Sequence, residues 1–289
     1  MTVNNKKTWQ IIDVLNWSEN YLTDKGIESA RIETEWMLRE ILGLSRIEIY
    51  LNHQRPLNKA ELAVFKKMLM ERAGGKPLQY ILGYTEFMGL NFKVSPAVLI
   101  PRPETEVIIE RLLELFKNQK INVLDICTGS GNIGISLAKL HPHCRATGID
   151  VSQPAIEIAK QNAENNSAKV KFIKLDILKE KPDNSKKYEL IVSNPPYVAG
   201  KYFEQLPEIV KNFEPHIALN PGADEYIFYK RLAEIAKEYL VKDGFLAVEI
   251  GGDYQVETIK GIFSQQSFQD FETVIDYLGN SRGIITRLK

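Results

Sequence analysis

Four consecutive residues, Asn194, Pro195, Pro196 and Tyr197, have the types needed to hold a flat nitrogen group. They follow an apolar run, 188–192, that predicts a buried strand. Each proline locks φ and removes an N–H donor, so the loop is stiff and presents the Asn194 side chain at a strand end. A carboxamide beside free carbonyls suits an amide or amino NH2, and an aromatic ring can cover a planar group. The motif indicates a site for a weak nitrogen nucleophile, although Asn and Pro also end strands in ordinary loops.

A second candidate site is the glycine-rich segment 123–134, whose sequence predicts a strand, a tight turn and a helix start. Glycines let a ligand approach the backbone closely. Gly129, Gly131 and Gly134 match G-x-G-x-x-G, so a dinucleotide-binding module or oxidoreductase is a rival hypothesis. Two observations oppose it. Asp125, at the strand end, would repel a pyrophosphate and favour a cationic ligand, and no later segment offers hydride-transfer chemistry.

Carboxylates end three successive predicted strands. Asp125 ends the first, Asp150 the second and Asp176 follows the third. Asp150 is placed to accept both hydroxyls of a ribose, and Asp176 could accept from an adenine amino group. Each Asp alone would suit an ordinary turn. Because ligands of open parallel sheets bind at the carboxyl ends of the strands, the three together predict a nucleoside site.

The elements that must position these residues alternate from residue 121 onward. Helices are predicted to begin near residues 131, 153 and 224, between strands over 121–125, 145–149, 170–174, 188–192 and 245–250. This alternation predicts an α/β fold with a mainly parallel sheet. The end of the chain differs, because two strands, 271–276 and 283–288, are joined by a short loop. A short connection predicts an antiparallel pair.

The preceding part of the chain predicts a separate helical module. Residues 6–76 have helical patterns, with Gly43 as a stop signal and Asn58 and Glu61 spaced as a capping box. This module either binds a macromolecular partner or only packs against the rest. A hairpin is predicted over 84–94, and a helix is predicted to begin at Pro103. We therefore expect three parts: a helical domain over residues 1–76, a linker with the β-hairpin over 77–98 and an α/β domain over 99–289.

Composition excludes several classes of protein. The 37 basic and 37 acidic residues balance, so no overall field favours nucleic acid. Two cysteines, Cys127 and Cys144, argue against a disulfide framework and fit a reducing cytoplasm. Segment 1–10 lacks the apolar region of a signal peptide, and no stretch suits a membrane span. The run 141–144, His-Pro-His-Cys, lacks a second ligand cluster, so no metal site is predicted.

Together these motifs resemble the class I S-adenosylmethionine methyltransferases that modify planar nitrogen. More narrowly, the chain resembles the HemK/PrmC family, the protein-(glutamine-N5) methyltransferases of peptide-chain release factors. The narrower resemblance is carried by the helical N-terminal domain and by the segments 78–83 (LQYILG), 86–87 (EF), 100–106 (IPRPETE), 192–198 (VSNPPYV) and 213–215 (FEP). The motif 194–197 alone is shared with DNA adenine and RNA guanine methyltransferases. That alternative predicts a basic groove and a recognition domain, and the composition shows neither.

The resemblance implies a Rossmann-like fold, with an antiparallel C-terminal strand and a small helical N-terminal domain. It implies methyl transfer from S-adenosylmethionine to the glutamine of a Gly-Gly-Gln sequence in class 1 release factors. Partners would include no membrane and no directly bound nucleic acid, and the protein would be a cytoplasmic monomer. Cys127 departs mildly from the family, where glycine is frequent.

The resemblance also assigns roles to residues. Asn194 and the Pro195 carbonyl would accept the amide hydrogens of the glutamine, and Tyr197 would pack on its carboxamide. Glu249 and Arg282 are further candidates for the rim of the cleft. The implied catalytic residues are Asn194, Pro195, Pro196 and Tyr197. The implied cofactor-binding residues are Asp125, Thr128, Gly129, Gly131, Asp150, Asp176 and Asn194. The implied substrate-binding residues are Phe87, Arg102, Pro103, Glu104, Asn194 and Tyr197.

Overall fold

The computed structural model describes residues 8–183 and 186–289, and the chain divides into two compact units. The first unit ends at Leu82 and the second begins at Gly83. Most of segment 1–10, which was compared with signal peptides, lies outside the described residues. In the described part of the chain, no helix is both long and apolar enough to cross a bilayer.

The first unit is helical, as its sequence predicted. Its helices are α1 (Ile11–Thr23), α2 (Ala30–Leu42), α3 (Arg46–Leu51), α4 (Lys59–Ala73) and α5 (Leu78–Leu82). Gly43 ends α2 in a left-handed conformation with φ 63°, which glycine adopts at no steric cost. The predicted capping box at α4 is confirmed: Glu61 N donates to the Asn58 side chain at 2.9 Å, and Asn58 N donates to the Glu61 carboxylate at 2.8 Å. The short helices α3 and α5 were not predicted.

The second unit begins with the predicted hairpin. Its strands are β1 (Tyr84–Phe87) and β2 (Leu90–Lys93), paired antiparallel. The two turn residues, Met88 and Gly89, both have positive φ. That is the geometry of the tight turns that match strand twist. The predicted linker range 77–98 thus contains α5, which belongs to the first unit, and the hairpin, which belongs to the second.

A seven-stranded sheet forms the centre of the second unit. Its strands are β3 (Ile121–Ile126), β4 (Cys144–Asp150), β5 (Val170–Lys174), β6 (Tyr188–Ser193), β7 (Leu240–Glu249), β8 (Phe268–Ile275) and β9 (Ser281–Leu288). The spatial order is β5-β4-β3-β6-β7-β9-β8. Strands β3 to β7 pair in parallel, and β9 is antiparallel to both β7 and β8. The predicted sheet type and its antiparallel end are confirmed.

Helices cover both faces of this sheet. They are α6 (Pro103–Leu115), α7 (Asn132–Leu140), α8 (Gln153–Asn165), α9 (Gly200–Phe203), α10 (Glu208–Phe213), α11 (His216–Leu219), α12 (Ile227–Tyr239) and α13 (Asp253–Ser264). One apolar core contains residues of α12 and α13, and the other contains residues of α6 and α7. From β3 the chain proceeds outward to β4 and β5, then returns to the other side of β3 with β6. Ligands bind where the strand order reverses in this way, so the functional site is expected between β3 and β6.

Strand β7 is longer than the predicted range 245–250. It begins at Leu240, and its pairing with β6 shifts register between Leu240 and Phe245. Asp243, inside this irregular stretch, has a left-handed φ of 64°. The pair Asp243-Gly244 looks like a turn in the sequence, which is why the beginning of the strand was not predicted.

Candidate functional site

A cavity of about 320 Å³ lies at the carboxyl ends of the parallel strands. The structure brings to it predicted residues that are far apart in sequence. Its lining includes Thr128, Gly129, Asp150, Asp176, Asn194, Pro196 and Arg102. Other predicted residues do not line it: Asp125, Gly131, Pro195, Tyr197, Phe87, Pro103 and Glu104. The cavity therefore joins the glycine-rich turn, two of the three strand-end carboxylates and part of the Asn-Pro-Pro-Tyr motif.

The glycine-rich turn depends on backbone conformations that side chains disfavour. Gly129 and Gly131 have φ of 54° and 81°. A Cβ at Gly131 would lie 2.8 Å from the Ile135 side chain, so glycine is required there on two grounds. Cys127 also has a left-handed φ, 61°. That conformation costs a non-glycine residue about 1 kcal/mol, so glycine would fit this position without strain.

Asp125 holds the turn from below and does not face the cavity. It is fully buried, and its Oδ2 accepts hydrogen bonds from the Thr128 hydroxyl at 2.5 Å and from Gly134 N at 3.0 Å. Burial raises the pKa of Asp125 to about 7. Its place at a strand end suggested direct attraction of a cationic ligand. The turn instead folds over this carboxylate, so Asp125 shapes the cavity through Thr128 and Gly134.

A buried amide, Asn162 of α8, holds the turn from behind. Its side-chain NH2 donates to Ser130 O at 2.9 Å and to Lys93 O at 3.0 Å, and its Oδ1 accepts from Lys93 N at 2.6 Å. Lys93 is the last residue of β2. One side chain therefore joins the hairpin to the turn, a connection that no motif in the sequence indicates.

Asp150 presents two oxygens at the cavity, each already oriented by the backbone. Oδ2 accepts from Gly129 N and Oδ1 from Ser152 N, both at 2.9 Å. Burial raises the pKa of Asp150, and the backbone hydrogen bonds act in the opposite direction. A carboxylate oxygen has more than one acceptor position. Asp150 can therefore still accept two neighbouring hydroxyl groups.

Asp176 lines the same cavity under different constraints. It forms an ion pair with Lys179 at 2.9 Å and accepts from Leu178 N at 3.1 Å. The hydrogen bond from Lys179 holds the pKa of Asp176 below its ordinary value. The carboxylate is thus ionised and has two partners within the protein, as Asp150 has, but one of them is the charged side chain of Lys179.

Asn194 follows a hydrogen bond that joins β6 to β3, the two strands between which the strand order reverses. The buried Ser193 hydroxyl donates to Ile126 O at 2.7 Å, which ties the end of β6 to the end of β3. Asn194 follows at once and lines the cavity, half-buried. Within residues 8–183 and 186–289, its carboxamide makes no hydrogen bond. Both its oxygen and its NH2 are therefore available to a ligand.

Tyr197 forms a hydrogen bond with Glu249, a residue that the sequence analysis named as a candidate for the rim of the cleft. Glu249 is buried, 3% exposed, and accepts a hydrogen bond from the Tyr197 hydroxyl at 3.1 Å and from the Thr105 hydroxyl at 2.6 Å. Arg282 is partly exposed and pairs with Asp276 at 2.7 Å, while Glu104 lies 4.0 Å away. In the sequence, the only indication of this role was that Glu249 is a charged residue at the end of an apolar strand.

Of the remaining predicted substrate residues, one is a core residue. Phe87 is 1% exposed and packs edge-on against Phe92, with ring centroids 5.8 Å apart. Pro103 begins α6 and is exposed, and Glu104 is half-buried beside it. Phe87 thus belongs to the packing of the hairpin, because the inward face of β1 carries it into the core.

Arg102 joins the start of α6 to the segment over the cavity. Its guanidinium pairs with Glu214, which is 4% exposed and also accepts from Ile100 N at 3.3 Å. Residues that directly follow Glu214 line the cavity, among them Pro215 and Ile217. The pair Arg102–Glu214 therefore holds one wall of the site, although the sequence separation of 112 residues hides it.

Replacing Arg102 with methionine is expected to lower the free energy of unfolding by about 2–3 kcal/mol, because the buried Glu214 carboxylate loses its counter-charge. Arg111 provides a matched control. Its side chain is equally exposed, 34%, but its partners Glu114 and Glu272 are 72% and 41% exposed. Arg111→Met should cost less than about 1 kcal/mol. Urea titrations of both variants check this, and equal losses would contradict the role given to Glu214.

The run His-Pro-His-Cys, residues 141–144, contains side chains of types that can bind metals. His141 is buried, and its Nε2 hydrogen-bonds to Phe116 O at 3.0 Å. Across the described ranges 8–183 and 186–289, no three or more His, Cys, Asp or Glu side chains are grouped as metal ligands. The run forms the connection between α7 and β4.

Comparison with known proteins adds to this geometry. Residues 13–83 match the family model of the PrmC N-terminal domain, and residues 104–222 match that of the Methyltransferase small domain. A release factor glutamine methyltransferase from Geobacter sulfurreducens is 43% identical over 280 residues, with 97% of each chain covered. One from Fusobacterium nucleatum is 38% identical, covering 96% of this chain and 78% of that protein. The structure of a T. thermophilus 16S rRNA N2 G1207 methyltransferase, in complex with AdoMet and guanosine, has a TM-score of 0.51 at 15% identity, covering 71% of this chain and 50% of that one. This last likeness shows the fold.

Proposed function

This chain belongs to the release factor glutamine methyltransferase family, and on that premise we propose which reaction it performs. It transfers a methyl group from S-adenosylmethionine to the side-chain nitrogen (N5) of the glutamine in the Gly-Gly-Gln motif of class 1 release factors. One observation carries the proposal. The carboxamide of Asn194 lines the cavity where the strand order reverses, and it makes no hydrogen bond to the described part of the protein. It is therefore free to bind another amide.

The cavity fits the proposed cofactor. The carboxylate of Asp150 is held by two backbone N–H groups and retains acceptor positions for two ribose hydroxyls. Asp176 lines the same cavity, and its carboxylate would accept from the adenine amino group. The backbone at Gly129 lies in the cavity lining without a side chain that would block a ligand. When bound, S-adenosylmethionine supplies an electrophilic methyl group on a sulfonium.

The contribution of the protein is alignment of a poor nucleophile. The lone pair of an amide nitrogen is delocalised, so its reaction depends on being held in line with the methyl group. The Asn194 oxygen and the Pro195 carbonyl accept the two amide hydrogens, and this fixes the direction of the NH2. Proline at 195 and 196 keeps the backbone rigid. Such alignment can contribute several kcal/mol, up to about 7–11 in favourable cases.

The same proposal includes the helical domain and the partners. The helical domain predicted over residues 1–76 binds the release factor, and the protein acts in the cytoplasm as a monomer without direct contact to nucleic acid. The matched model of the PrmC N-terminal domain over residues 13–83 supports a dedicated module there. Transfer to adenine or guanine in DNA or RNA is not favoured, because relatives matched over nearly the whole chain are named for release factors.

Methyl transfer from labelled S-adenosylmethionine tests the proposal directly. A purified class 1 release factor is offered beside DNA and RNA, together with a release factor whose Gly-Gly-Gln glutamine is changed to alanine. We expect label on the intact factor only. Label on nucleic acid, or label that persists after the glutamine change, would overturn the proposed acceptor while leaving the fold and cofactor in place.

A further inference from the structure

Glu249 is a buried carboxylate without a counter-ion. It ends β7, is 3% exposed and is absent from the cavity lining. Among the described residues, no Lys, Arg or His nitrogen lies within 4.0 Å of its oxygens. A carboxylate in such a place lowers stability unless its hydrogen bonds compensate. The residue therefore calls for an explanation beyond packing.

The hydrogen bonds of Glu249 explain its place, since one partner, Thr105, lines the cavity and the other, Tyr197, belongs to the Asn-Pro-Pro-Tyr motif. Oε1 accepts from the Tyr197 hydroxyl and Oε2 from the Thr105 hydroxyl, at 3.1 and 2.6 Å. Thr105 is in the first turn of α6, and Tyr197 ends the Asn-Pro-Pro-Tyr motif. One carboxylate thus spans the two segments that are expected to border the substrate.

Tyr197 is held at its other end as well. The buried Gln255 donates to Tyr197 O at 3.4 Å, and its Oε1 accepts from Gly251 N at 2.7 Å. A Cβ at Gly251 would lie 3.1 Å from Tyr197 Cδ2, so the ring packs close to bare backbone. The two hydrogen bonds fix the position of the hydroxyl and of the backbone, and the close approach of Gly251 to the ring edge limits rotation of the ring.

We infer that Glu249 is a positioning residue, which orients the Tyr197 ring against the carboxamide that Asn194 binds. This inference rests on the proposed function and deepens it. Thr105 shares the role, because its hydroxyl holds the second oxygen of Glu249 and so links α6 to the motif. Glu249 itself does not contact the substrate.

The charge state of Glu249 gives the inference a distinctive signature. Burial raises the pKa of Glu249 to about 7 and raises that of Tyr197 well above its ordinary value. The charged and titratable groups facing this region are Tyr197, Tyr229, Glu104, Arg102 and Arg282. An ionised Glu249 accepts from both hydroxyls, whereas protonation turns one oxygen into a donor. The support of Tyr197 is therefore strongest above pH 7, where the acceptor is ionised, and weakens as the pH falls through 7.

The test compares Glu249→Ala, Glu249→Gln, Tyr197→Phe and the double variant Tyr197→Phe/Glu249→Ala. We expect Glu249→Ala to lower kcat by about 10- to 100-fold, as a small misplacement of a reacting group does, with the affinity for S-adenosylhomocysteine unchanged. In the Tyr197→Phe background the same change should have little further effect. Glu249→Gln, like the protonated carboxyl, offers one neutral acceptor and donors, so its kcat should equal the low-pH value of the wild type and show no rise through pH 7.

Tyr239→Phe is the matched control for Tyr197→Phe. Its buried hydroxyl donates to Pro182 O at 2.6 Å, and Tyr239 precedes β7 whereas Glu249 ends that strand, so its loss should affect stability and not kcat. An unchanged kcat in Glu249→Ala, full additivity in the double variant, or a pH step that survives in Glu249→Gln would each overturn the inference. Methyl transfer by the wild-type enzyme, measured in parallel, distinguishes failure of the inference about Glu249 from failure of the proposed function. If wild type labels another acceptor, the same comparison is made with that acceptor.

Discussion

Replacing Asn194 with alanine is expected to lower kcat for methylation of a release factor by roughly a hundred- to a thousandfold. The side chain that is lost lines the cavity, and its polar atoms make no hydrogen bond to the described part of the chain. Without it, one amide hydrogen of the substrate has no acceptor, and the NH2 is no longer held in line. The fold should persist, because the bond that anchors this strand end is made by Ser193 and not by Asn194.

Single-turnover transfer of labelled methyl, with enzyme in excess, measures this effect on the chemical step. Asn165→Ala is a suitable control, since Asn165 is the exposed last residue of α8 and the same atoms are removed there. Calorimetric titration with S-adenosylhomocysteine shows whether the cofactor site has survived. A variant at Asn194 that binds the cofactor and retains the wild-type rate would refute the role of the carboxamide.

Replacing Asp150 with alanine is expected to raise the Kd of S-adenosylhomocysteine by roughly a hundredfold or more. Hydrogen bonds to a charged group contribute about 1.5–3 kcal/mol each, and two of them are lost. The backbone donors Gly129 N and Ser152 N also lose their acceptor, so the turn itself becomes less ordered. Calorimetry measures the Kd, and the thermal shift at saturating ligand gives an independent value.

Two further variants make the Asp150 result specific. Asp150→Asn retains one side-chain acceptor and should give an intermediate Kd. Glu157→Ala removes an exposed carboxylate of α8, which pairs only with Lys160 and Gln153 in the described chain, and should leave the Kd unchanged. If Asp150→Ala binds as tightly as wild type, the carboxylate does not hold the ribose, and Asp176 becomes the principal candidate for nucleoside binding.

The layout of the site could be predicted from sequence because parallel strands impose it. Asp150, Asp176 and Asn194 each follow a strand, and strands that run in parallel bring such residues to one edge. Their meeting at one cavity needed no knowledge of side-chain packing. The hairpin and the capping box at Asn58 could be predicted because each depends on residues only a few positions apart in the sequence.

Other features depend on contacts that sequence spacing does not encode. The partners of Glu249 are 52 and 144 residues away, so its burial follows from packing of distant segments. The direction of the Asp125 carboxylate is decided by how the following turn folds back. Helix α13 was missed because it begins after Gly252, which provides no side-chain cap. Phe87 was assigned to the substrate by the resemblance alone, and its burial follows from how the hairpin packs.

The amide of Asn162 limits how the length of this chain can vary during evolution. It holds both the last residue of β2 and the backbone of Ser130 from a single position on α8. Each residue inserted into or deleted from α8 ahead of it would turn the side chain by about 100° around the helix axis. Both connections would then be lost at once. Insertions and deletions among homologous chains should therefore be absent between Gln153 and Asn162, and be found in loops that carry no such connection.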